Sequence, residues 1–470
     1  MLMLCGETTK KVRPLGPSGP VIHCIQSGAE MAKMFRDNPN KLLRFNPLDS
    51  QHLPGPLGKF MSLDDSLVQV VDGIKKSLFF ELQGPDRERL KSHMITFAMR
   101  FSDQKVLDRM YKDMRKHFET FSMEGGEKSK NLFDVIQRTI VAVLLSEMFG
   151  CSLPDDVTPA RLQELANKVF GALPNGPVAE DWRMLKRVVD HMTAEAVEGS
   201  MAWHLRVTYE GKPEEKEGTI RSNMLVLLLI GTQSMANGAY WLTLCLQDPD
   251  RLSRLRRGGG KLADVLVEEM RRHPPSAPIL MPYKVISAFT YCGIDFLVGE
   301  IVVISPPWQH MAFPKPHEHQ EDRFSEDLAA HRQRSGCPFW TGSGPVPGKE
   351  VEAAERVLSD RTCTFGIRPF GCPMKRGAVA MLLNLGAIIL QDYDVKVENL
   401  DLVSGTPFEE HMELVTVNRP FELLSARFCK RVSFPIWTAF FRIPRFFWLQ
   451  IGALIVRVVR PVLYGLPSIM

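Results

Sequence analysis

A cysteine between a glycine-containing loop and an apolar helix is the first residue of this sequence that could hold a reactive group. Cys372 follows the loop 365–371 and precedes the apolar segment 378–392. The start of a helix offers its dipole and free backbone N–H groups, and both favour a thiolate over a thiol. A thiolate presented beside a buried apolar helix suits a haem iron. Cys372 is therefore a candidate iron ligand, and the alternative is a structural thiol buried in the core.

One glutamate and two arginines form a second group of interest. Glu268 and Arg271 lie three residues apart in a segment with helical periodicity, so their side chains share one face and can pair. Arg323, in a predicted loop further along the chain, could join them, because a carboxylate shared by two guanidinium groups makes a rigid, charge-assisted latch. Ion pairs of this spacing are common by chance. The double proline 274–275 raises the specificity of the pattern, and we expect a structural role.

The long segment 223–247 is mostly apolar, with small and polar residues in its middle. A helix that is apolar on all sides belongs in the centre of a large core. Gly231 and Gly238 each weaken such a helix by about 1 kcal/mol relative to alanine. This cost is tolerated where another group packs closely against the backbone. We therefore expect a buried central helix with a close neighbour at its middle.

Hydrophobic periodicity predicts a mainly α protein with a smaller β-rich region. Further helices are indicated at 27–36, 62–82, 86–101, 105–121, 132–149, 158–170, 182–201, 261–272 and 378–392. Strands are indicated at 21–25, 284–305 and 395–417 by alternating β-branched and aromatic residues. The charged segment 212–217 is typical of a solvated linker. The stretch 306–364 is typical of loops.

Composition excludes several classes of protein. Lys plus Arg number 58 against 54 Asp plus Glu, a net charge of +4 that is too balanced for a dedicated nucleic-acid binder. The nine cysteines form no C-x-x-C pair and are odd in number, which argues against a disulfide scaffold. His310, His317 and His319 have no cysteine partner at zinc-finger spacing, which argues against a metal site in their loop.

The order and spacing of these segments resemble the cytochrome P-450 family. Glu268-x-x-Arg271 is followed by His-Pro-Pro, by strands, by the turn 305–310, by Asp-Arg-Phe and by Phe-Gly-x5-Cys-Pro. The segment 223–247 is similar to the family's distal haem helix. Trp308 and the Cys-Pro pair are most similar to the sterol-hydroxylase and prostacyclin-synthase branch. The resemblance covers roughly 21–427 and is most specific in its C-terminal half.

The resemblance implies a cytochrome P-450-like fold around a buried haem, and it implies roles for particular residues. Cys372 would be the axial thiolate ligand of the iron, and Phe365 would pack against its loop. Glu268, Arg271 and Arg323 would form the structural latch. The candidates for neutralising the haem propionates are Lys91, His93, Lys284 and Arg368.

The distal helix departs from the family pattern. The family usually carries a threonine beside an acid or amide there, which helps to deliver protons to bound oxygen. Here that stretch contains no threonine, and Thr232 lies one turn early. Candidate substitutes are Gln233, Ser234 and Asn237. In the cysteine loop, Arg368 and Met374 stand where the family usually has glycine.

The resemblance implies monooxygenation of a lipophilic substrate, sterol-like or another lipid. The reaction would need molecular oxygen and electrons from an NADPH-dependent reductase. We expect no nucleic-acid partner. Two alternatives stay open. A haem-thiolate isomerase or dehydratase of a lipid peroxide needs no oxygen activation, which fits the missing threonine. A non-catalytic relative fits the unusual cysteine loop. We expect the protein to lie at the cytoplasmic face of the endoplasmic reticulum or of another intracellular membrane.

The C-terminal segment 430–470 differs in composition from the haem domain expected at 1–429. It interleaves Trp and Phe with Arg and Lys, and its charge-free stretch 446–456 is too short to span a bilayer. This pattern is typical of a segment that lies on an anionic membrane surface. A tail packed on the protein and a spanning helix with snorkelling arginines are the alternatives. The first 20 residues show no signal peptide, and the family's N-terminal anchor is not evident.

Overall fold

Helices form most of the chain that the computed structural model describes. The described residues are 9–12, 21–25, 28–38, 40–44, 73–74, 76–78, 84–126, 129–172, 179–211, 213–273, 281–304, 313–315, 318–335, 340, 342–362, 364–365, 371–398, 400 and 424–430. The helices are α1 Gly28–Asp37, α2 Gly84–Ala98, α3 Gln104–Met123, α4 Leu132–Met148, α5 Pro159–Ala172, α6 Ala179–Ala194, α7 Met201–Thr208, α8 Pro213–Cys245, α9 Pro249–Arg256, α10 Leu262–Arg272, α11 Ser325–Ser335, α12 Gly348–Asp360 and α13 Lys375–Asp392. A 3-10 turn, Met99–Ser102, follows α2.

Strands form a smaller part of the fold. They are β1 Thr9–Val12, β2 Ile22–Ile25, β3 Leu42–Arg44, β4 Lys130–Asn131, β5 Met281–Val285, β6 Phe289–Tyr291, β7 Ile294–Phe296, β8 Ile301–Ile304, β9 Tyr393–Val397 and β10 Ser425–Lys430. The largest sheet has the order β1-β2-β8-β5-β3, in which only β2 and β8 are parallel. Its apolar face forms a separate small core. The expected class, mainly α with a smaller β-rich region, is confirmed.

The main core lies between α3, α4, α8, α10 and α13. Two glycines of α13 set how closely this helix packs. A Cβ at Gly386 would lie 2.9 Å from Leu242 Cδ2 of α8, and a Cβ at Gly377 would lie 2.8 Å from Phe101 Cε2. Because a side chain at either position would push the neighbour away, these glycines allow α13 to lie directly against its neighbours.

The central helix is longer than its apolar segment. α8 begins at Pro213, so the charged segment 212–217, expected as a solvated linker, is largely the first turn of this helix. Proline in the first turn followed by Glu214 and Glu215 is a favourable start for a helix, because proline needs no donor there and carboxylates complement the helix dipole. The segment was misassigned because solvated linkers and exposed first turns have the same charged composition.

Two other expectations differ from the structure. The stretch 306–364, expected as loops, contains α11 and α12, which are joined by a buried ion pair. Arg332 of α11 donates to both carboxylate oxygens of Glu350 at 2.5–3.1 Å and to Asp264 at 2.8 Å. The helix expected at 182–201 ends at Ala194, and α7 begins after Ser200, whose hydroxyl caps it. Most of the expected elements at 62–82 and 395–417 lie outside the described residues.

One helix among the described residues is long and apolar enough to cross a membrane. This helix is α8, and 83% of its most apolar window is buried inside the fold. Burial of this extent is typical of the core helix of a globular protein. The expected membrane-associating tail, 430–470, lies outside the described residues apart from Lys430.

Candidate active site

Cys372 lies in the turn that leads into α13. Its backbone N–H donates to the carbonyl of Phe365 at 2.8 Å, and the Phe365 ring packs against the main core. Burial raises the pKa of the Cys372 thiol, and a hydrogen bond from the Met374 backbone N–H and the charge of Lys375 oppose this. The expected effect of the helix start is present, but burial outweighs it. Burial therefore favours the protonated thiol over the thiolate.

Lys91 is the propionate candidate that the structure places near Cys372. It is buried on α2, and its charge lowers the pKa of the Cys372 thiol. His93 lies on the other side of α2, where its ring is 6.1 Å from the Tyr209 ring and its carbonyl oxygen is 3.2 Å from His204 Nε2. The propionate roles stay predictions.

The other two propionate candidates are Lys284 and Arg368. Lys284 belongs to β5 of the large sheet, where it pairs with Leu43 and Ile301. Arg368 lies outside the described residues. Their roles also stay predictions.

Glu268, Arg271 and Arg323 come together in a buried cluster. Arg271 donates to both carboxylate oxygens of Glu268 at 2.6 and 2.9 Å, and their side chains are 1% and 0% exposed. Arg323 Nε lies 3.2 Å from Glu268 Oε2, and the rest of its guanidinium donates to the carbonyls of Pro314 and Lys315. The cluster thus ties α10 to the segment before α11.

Lys375 and Arg376, the first two residues of α13 after Cys372, anchor the start of this helix. Both pair with Glu355 of α12, at 2.6 and 2.9 Å. Glu355 is 4% exposed, and the cations hold the pKa of its carboxyl below the usual value although burial raises it. Sequence reasoning missed this group because its glutamate lies in a stretch that was expected to be loop.

The middle of α8 has open space beside its backbone. Here one turn, Leu227–Gly231, is a π turn, which is frequent at functional sites. A Cβ at Gly231 would meet no atom within 4 Å, in contrast to the glycines of α13. Ser234 lies three residues on, on the same face, and is only partly buried. The helix therefore leaves room for a group beside its backbone.

The predicted distal residues point in different directions. Gln233 Oε1 accepts from Gln137 Nε2 of α4 at 3.2 Å, and Gln233 Nε2 lies 3.5 Å from Asn237 Oδ1. Gln163 of α5 extends this chain by donating to Gln137 Oε1 at 2.7 Å. Gln233 therefore binds a neighbouring helix and contacts Asn237 on its own helix, while Ser234 lies on the face of Gly231. All three catalytic roles stay predictions.

Thr232 was set aside in the sequence analysis because it lies one turn early, but the structure shows a feature of its hydroxyl that the sequence did not reveal. It follows the π turn directly, and its Oγ1 is buried without a hydrogen-bond partner among the described residues. A buried hydroxyl without a partner is costly unless another group supplies one. The π turn changes the phase of the helix, and sequence spacing alone does not reveal this.

Comparisons with known proteins agree on the architecture. No protein-family model and no curated protein matches the chain. Among solved structures, cyanobacterial CYP120A1 with retinoic acid bound is 16% identical and covers 90% of this chain and 92% of its own, with a TM-score of 0.62. The chain has the cytochrome P-450 fold. At identities this low, the likeness is one of fold.

Two further structures share this P-450 fold. Cytochrome P-450EX alpha with myristic acid is 16% identical over 90% of this chain and 92% of its own, with a TM-score of 0.61. A zebra fish cytochrome P-450 with progesterone is 12% identical over 83% of this chain and 91% of its own, with a TM-score of 0.60. The sterol-hydroxylase and prostacyclin-synthase branch is not singled out.

The residues present fit a haem in this P-450 fold. Cys372 supplies a sulfur at the start of α13, and Lys91 supplies a buried cation near it. Gly231 supplies open space along α8, and Thr232 supplies a hydroxyl that still needs a partner. A haem would use all four features, because it has an iron, anionic propionates and a face at which a ligand binds.

Proposed function

We propose that this protein is a haem-thiolate monooxygenase that hydroxylates a lipophilic substrate, sterol-like or another lipid. Cys372 at the start of α13, in a P-450 fold whose central helix has open space at Gly231, is the observation that carries the proposal. Haem held by a cysteine thiolate supplies oxygen activation when bound. Myristic acid, retinoic acid and progesterone bound to three proteins of the same fold support a lipophilic substrate class.

The chain's own residues would support this reaction in three ways. Lys91 and the Met374 backbone N–H favour negative charge on the Cys372 sulfur. Apolar helices exclude water from the site, which strengthens every charge interaction there. Proton delivery would fall to the hydroxyl of Thr232, which has no hydrogen-bond partner among the described residues, or to that of Ser234, on the face of Gly231.

Oxygen incorporation tests the proposed activity. The haem-loaded protein is combined with an NADPH-dependent reductase and a set of fatty acids, retinoids and steroids under ¹⁸O₂. We expect a hydroxylated product that contains one ¹⁸O atom and requires NADPH. Absence of labelled product with every substrate, despite an intact haem spectrum, would contradict the proposal.

An isomerase or dehydratase of a lipid peroxide is the second candidate. It is supported by Gln233, which accepts a hydrogen bond from Gln137 of α4 and contacts Asn237 with its own amide nitrogen, so that its amide is engaged within the helix packing. Such an enzyme would convert a lipid hydroperoxide without NADPH and without oxygen. Product formation from a fatty-acid hydroperoxide under nitrogen would favour this activity over hydroxylation.

Replacing Thr232 by valine is expected to uncouple NADPH oxidation from hydroxylation. Valine keeps the shape of the side chain and removes a hydroxyl without a partner, so folding should be unaffected. Proton delivery of this kind contributes typically about 10²–10⁴-fold to a rate. We expect less product and more peroxide per NADPH oxidised. The matched control is Thr243→Val on the same helix, whose hydroxyl donates to the Ala239 carbonyl. Equal coupling in both variants would exclude Thr232 from proton delivery.

We also propose that residues 430–470 attach the protein to a membrane surface without crossing the bilayer, at the cytoplasmic face of an intracellular membrane. Each cationic side chain near anionic lipid contributes about 1 kcal/mol, and the interleaved aromatic rings add apolar insertion. Deletion of 431–470 should release the protein from anionic liposomes in a flotation assay and leave the haem spectrum unchanged. Binding that survives the deletion would place the attachment elsewhere in the chain.

A further inference from the structure

Cys245, Glu269 and His319 bring three metal-binding side chains together outside the Cys372 site. Cys245 is the last residue of α8, Glu269 lies on α10, and His319 precedes α11. One ligand atom from each lies within 4.8 Å of the others. Cys245 Sγ is 3.7 Å from His319 Nδ1, which is 2.6 Å from Glu269 Oε1. The glutamate and histidine side chains are 3% and 9% exposed, so the cluster is built into the fold.

We propose that Cys245, Glu269 and His319 bind one zinc ion, with water as the fourth ligand. This proposal goes beyond the haem chemistry and does not depend on it. Thiolate, imidazole and carboxylate are the ligands that zinc takes in proteins, usually in a tetrahedron. The sequence argument against zinc considered only the spacing around His319, whereas the fold supplies a cysteine from α8.

The distances are close to those of a zinc site. Zinc bonds of about 2.3 Å to sulfur and about 2.0–2.1 Å to nitrogen place these two atoms about 3.5 Å apart in a tetrahedron. Cys245 Sγ and His319 Nδ1 are 3.7 Å apart. Nitrogen and oxygen ligands would lie about 3.3 Å apart, so the 2.6 Å hydrogen bond between His319 and Glu269 would have to lengthen by a fraction of an ångström. A side-chain rotation suffices for this change.

Two arginines now satisfy the negative charge of the cluster and would compete with zinc. Arg251 Nη1 lies 3.0 Å from Cys245 Sγ, and Arg272 Nη1 lies 2.6 Å from Glu269 Oε1. Arg251 also has the carboxylates of Asp248 and Glu321 within 3.8 and 4.0 Å. It can therefore withdraw from the sulfur and remain paired. Because two cations already lie against these side chains, the cluster favours a positively charged neighbour.

Zinc uptake would exchange one proton for the metal. Burial raises the pKa of the Cys245 thiol well above its usual value, so the metal-free side chain is protonated. When the zinc–sulfur bond forms, the S–H bond breaks and the proton leaves to solvent. The hydrogen bond from His319 Nδ1 to the Glu269 carboxylate would break, and its proton would move to Nε2, so that the neutral ring binds the metal through Nδ1. Bound zinc would join the end of α8 to α10 and to the segment before α11.

Zinc content and X-ray absorption of the full-length, untagged, haem-loaded protein test the proposal. The protein is stripped with a chelator and dialysed against buffered micromolar ZnCl₂. We expect about one zinc per chain with one sulfur neighbour at about 2.3 Å. Less than half an equivalent of zinc, or a spectrum without sulfur, would overturn the site.

Two pairs of variants locate the site. Cys245→Ser should remove the sulfur neighbour and weaken zinc binding, whereas Cys151→Ser, at a partly buried cysteine elsewhere in the fold, should change neither. Arg251→Gln should tighten zinc binding by about 10–100-fold, the range typical of changes around a metal centre, because a competing cation is removed. Arg254→Gln, on the same helix and paired with Glu321, should have no such effect.

The arginine pair decides the question even if Cys245→Ser does not fold. Equal affinities in Arg251→Gln and Arg254→Gln would contradict the geometry described here. A sulfur neighbour that persists in folded Cys245→Ser would assign the zinc to another cysteine and overturn the proposal. Loss of haem activity would affect none of these measurements.

Discussion

Replacement of Cys372 by alanine is expected to abolish the thiolate-type Soret band of the reduced, carbon-monoxide-bound protein. Cys372 is the described cysteine that lies at the start of α13, with Lys91 and the Met374 N–H near its sulfur. No other side chain at this position can supply a thiolate to an iron. The backbone hydrogen bond to Phe365 does not involve the sulfur, so the turn should survive the change. We therefore expect a folded protein with little haem or with haem in a different ligand state.

A matched variant separates the ligand role from a general effect of losing a cysteine. Cys151 is also partly buried, and burial raises the pKa of its thiol, but its sulfur contacts the Met192 carbonyl at 3.6 Å. Cys151→Ala should keep the thiolate-type band and the haem content of the parent protein. A band that persists in Cys372→Ala, or that is missing from the parent protein, would refute the assignment.

Among the variants described here, replacement of Arg271 by alanine is expected to cause the largest loss of folding stability. It would leave the Glu268 carboxylate, which is 0% exposed, without its bidentate partner. Removal of one member of a buried pair typically costs about 3–5 kcal/mol. The whole free energy of unfolding of a domain is about 5–15 kcal/mol. We therefore expect a low soluble yield and a clearly reduced midpoint of urea unfolding.

An exposed arginine pair provides the control for this variant. Arg361 donates to both oxygens of Asp327 at 2.8 and 3.0 Å, but its side chain is 58% exposed. Pairs of this kind contribute about 0–1 kcal/mol, so Arg361→Ala should unfold near the parent midpoint. Arg271→Lys keeps the charge without the planar fork and should fall between the two. A stable Arg271→Ala protein that makes a different product would place Arg271 in the substrate site.

The sequence predicted correctly those helices and pairs that depend only on residues close together in the chain. α10 and α13 have apolar residues at helical spacing, and the Glu268–Arg271 pair follows from a spacing of three on one helix. The apolar part of α8 is equally plain. Such features need no knowledge of the rest of the fold.

Contacts between distant segments determine the features that sequence reasoning missed. α11 and α12 are held together by Arg332 and Glu350, whose pairing no local pattern shows. The direction of Gln233 depends on Gln137 of α4, which packs against α8. The pairing of Cys245 with His319 joins residues 74 positions apart. In each case the partner is set by how helices pack, not by spacing.

The π turn of α8 also bears on how this protein can change during evolution. An α-helix advances about 100° per residue, so a turn with one extra residue offsets everything after it by that angle. The half of α8 before Leu227 packs on α6 and α7, and the half after Gly231 packs on α4, α10 and α13. Loss of a single residue from this turn would rotate one half relative to the other and place a different side chain beside the open space at Gly231. A one-residue deletion there is therefore a short mutational route to a differently shaped space beside α8 on an otherwise unchanged scaffold.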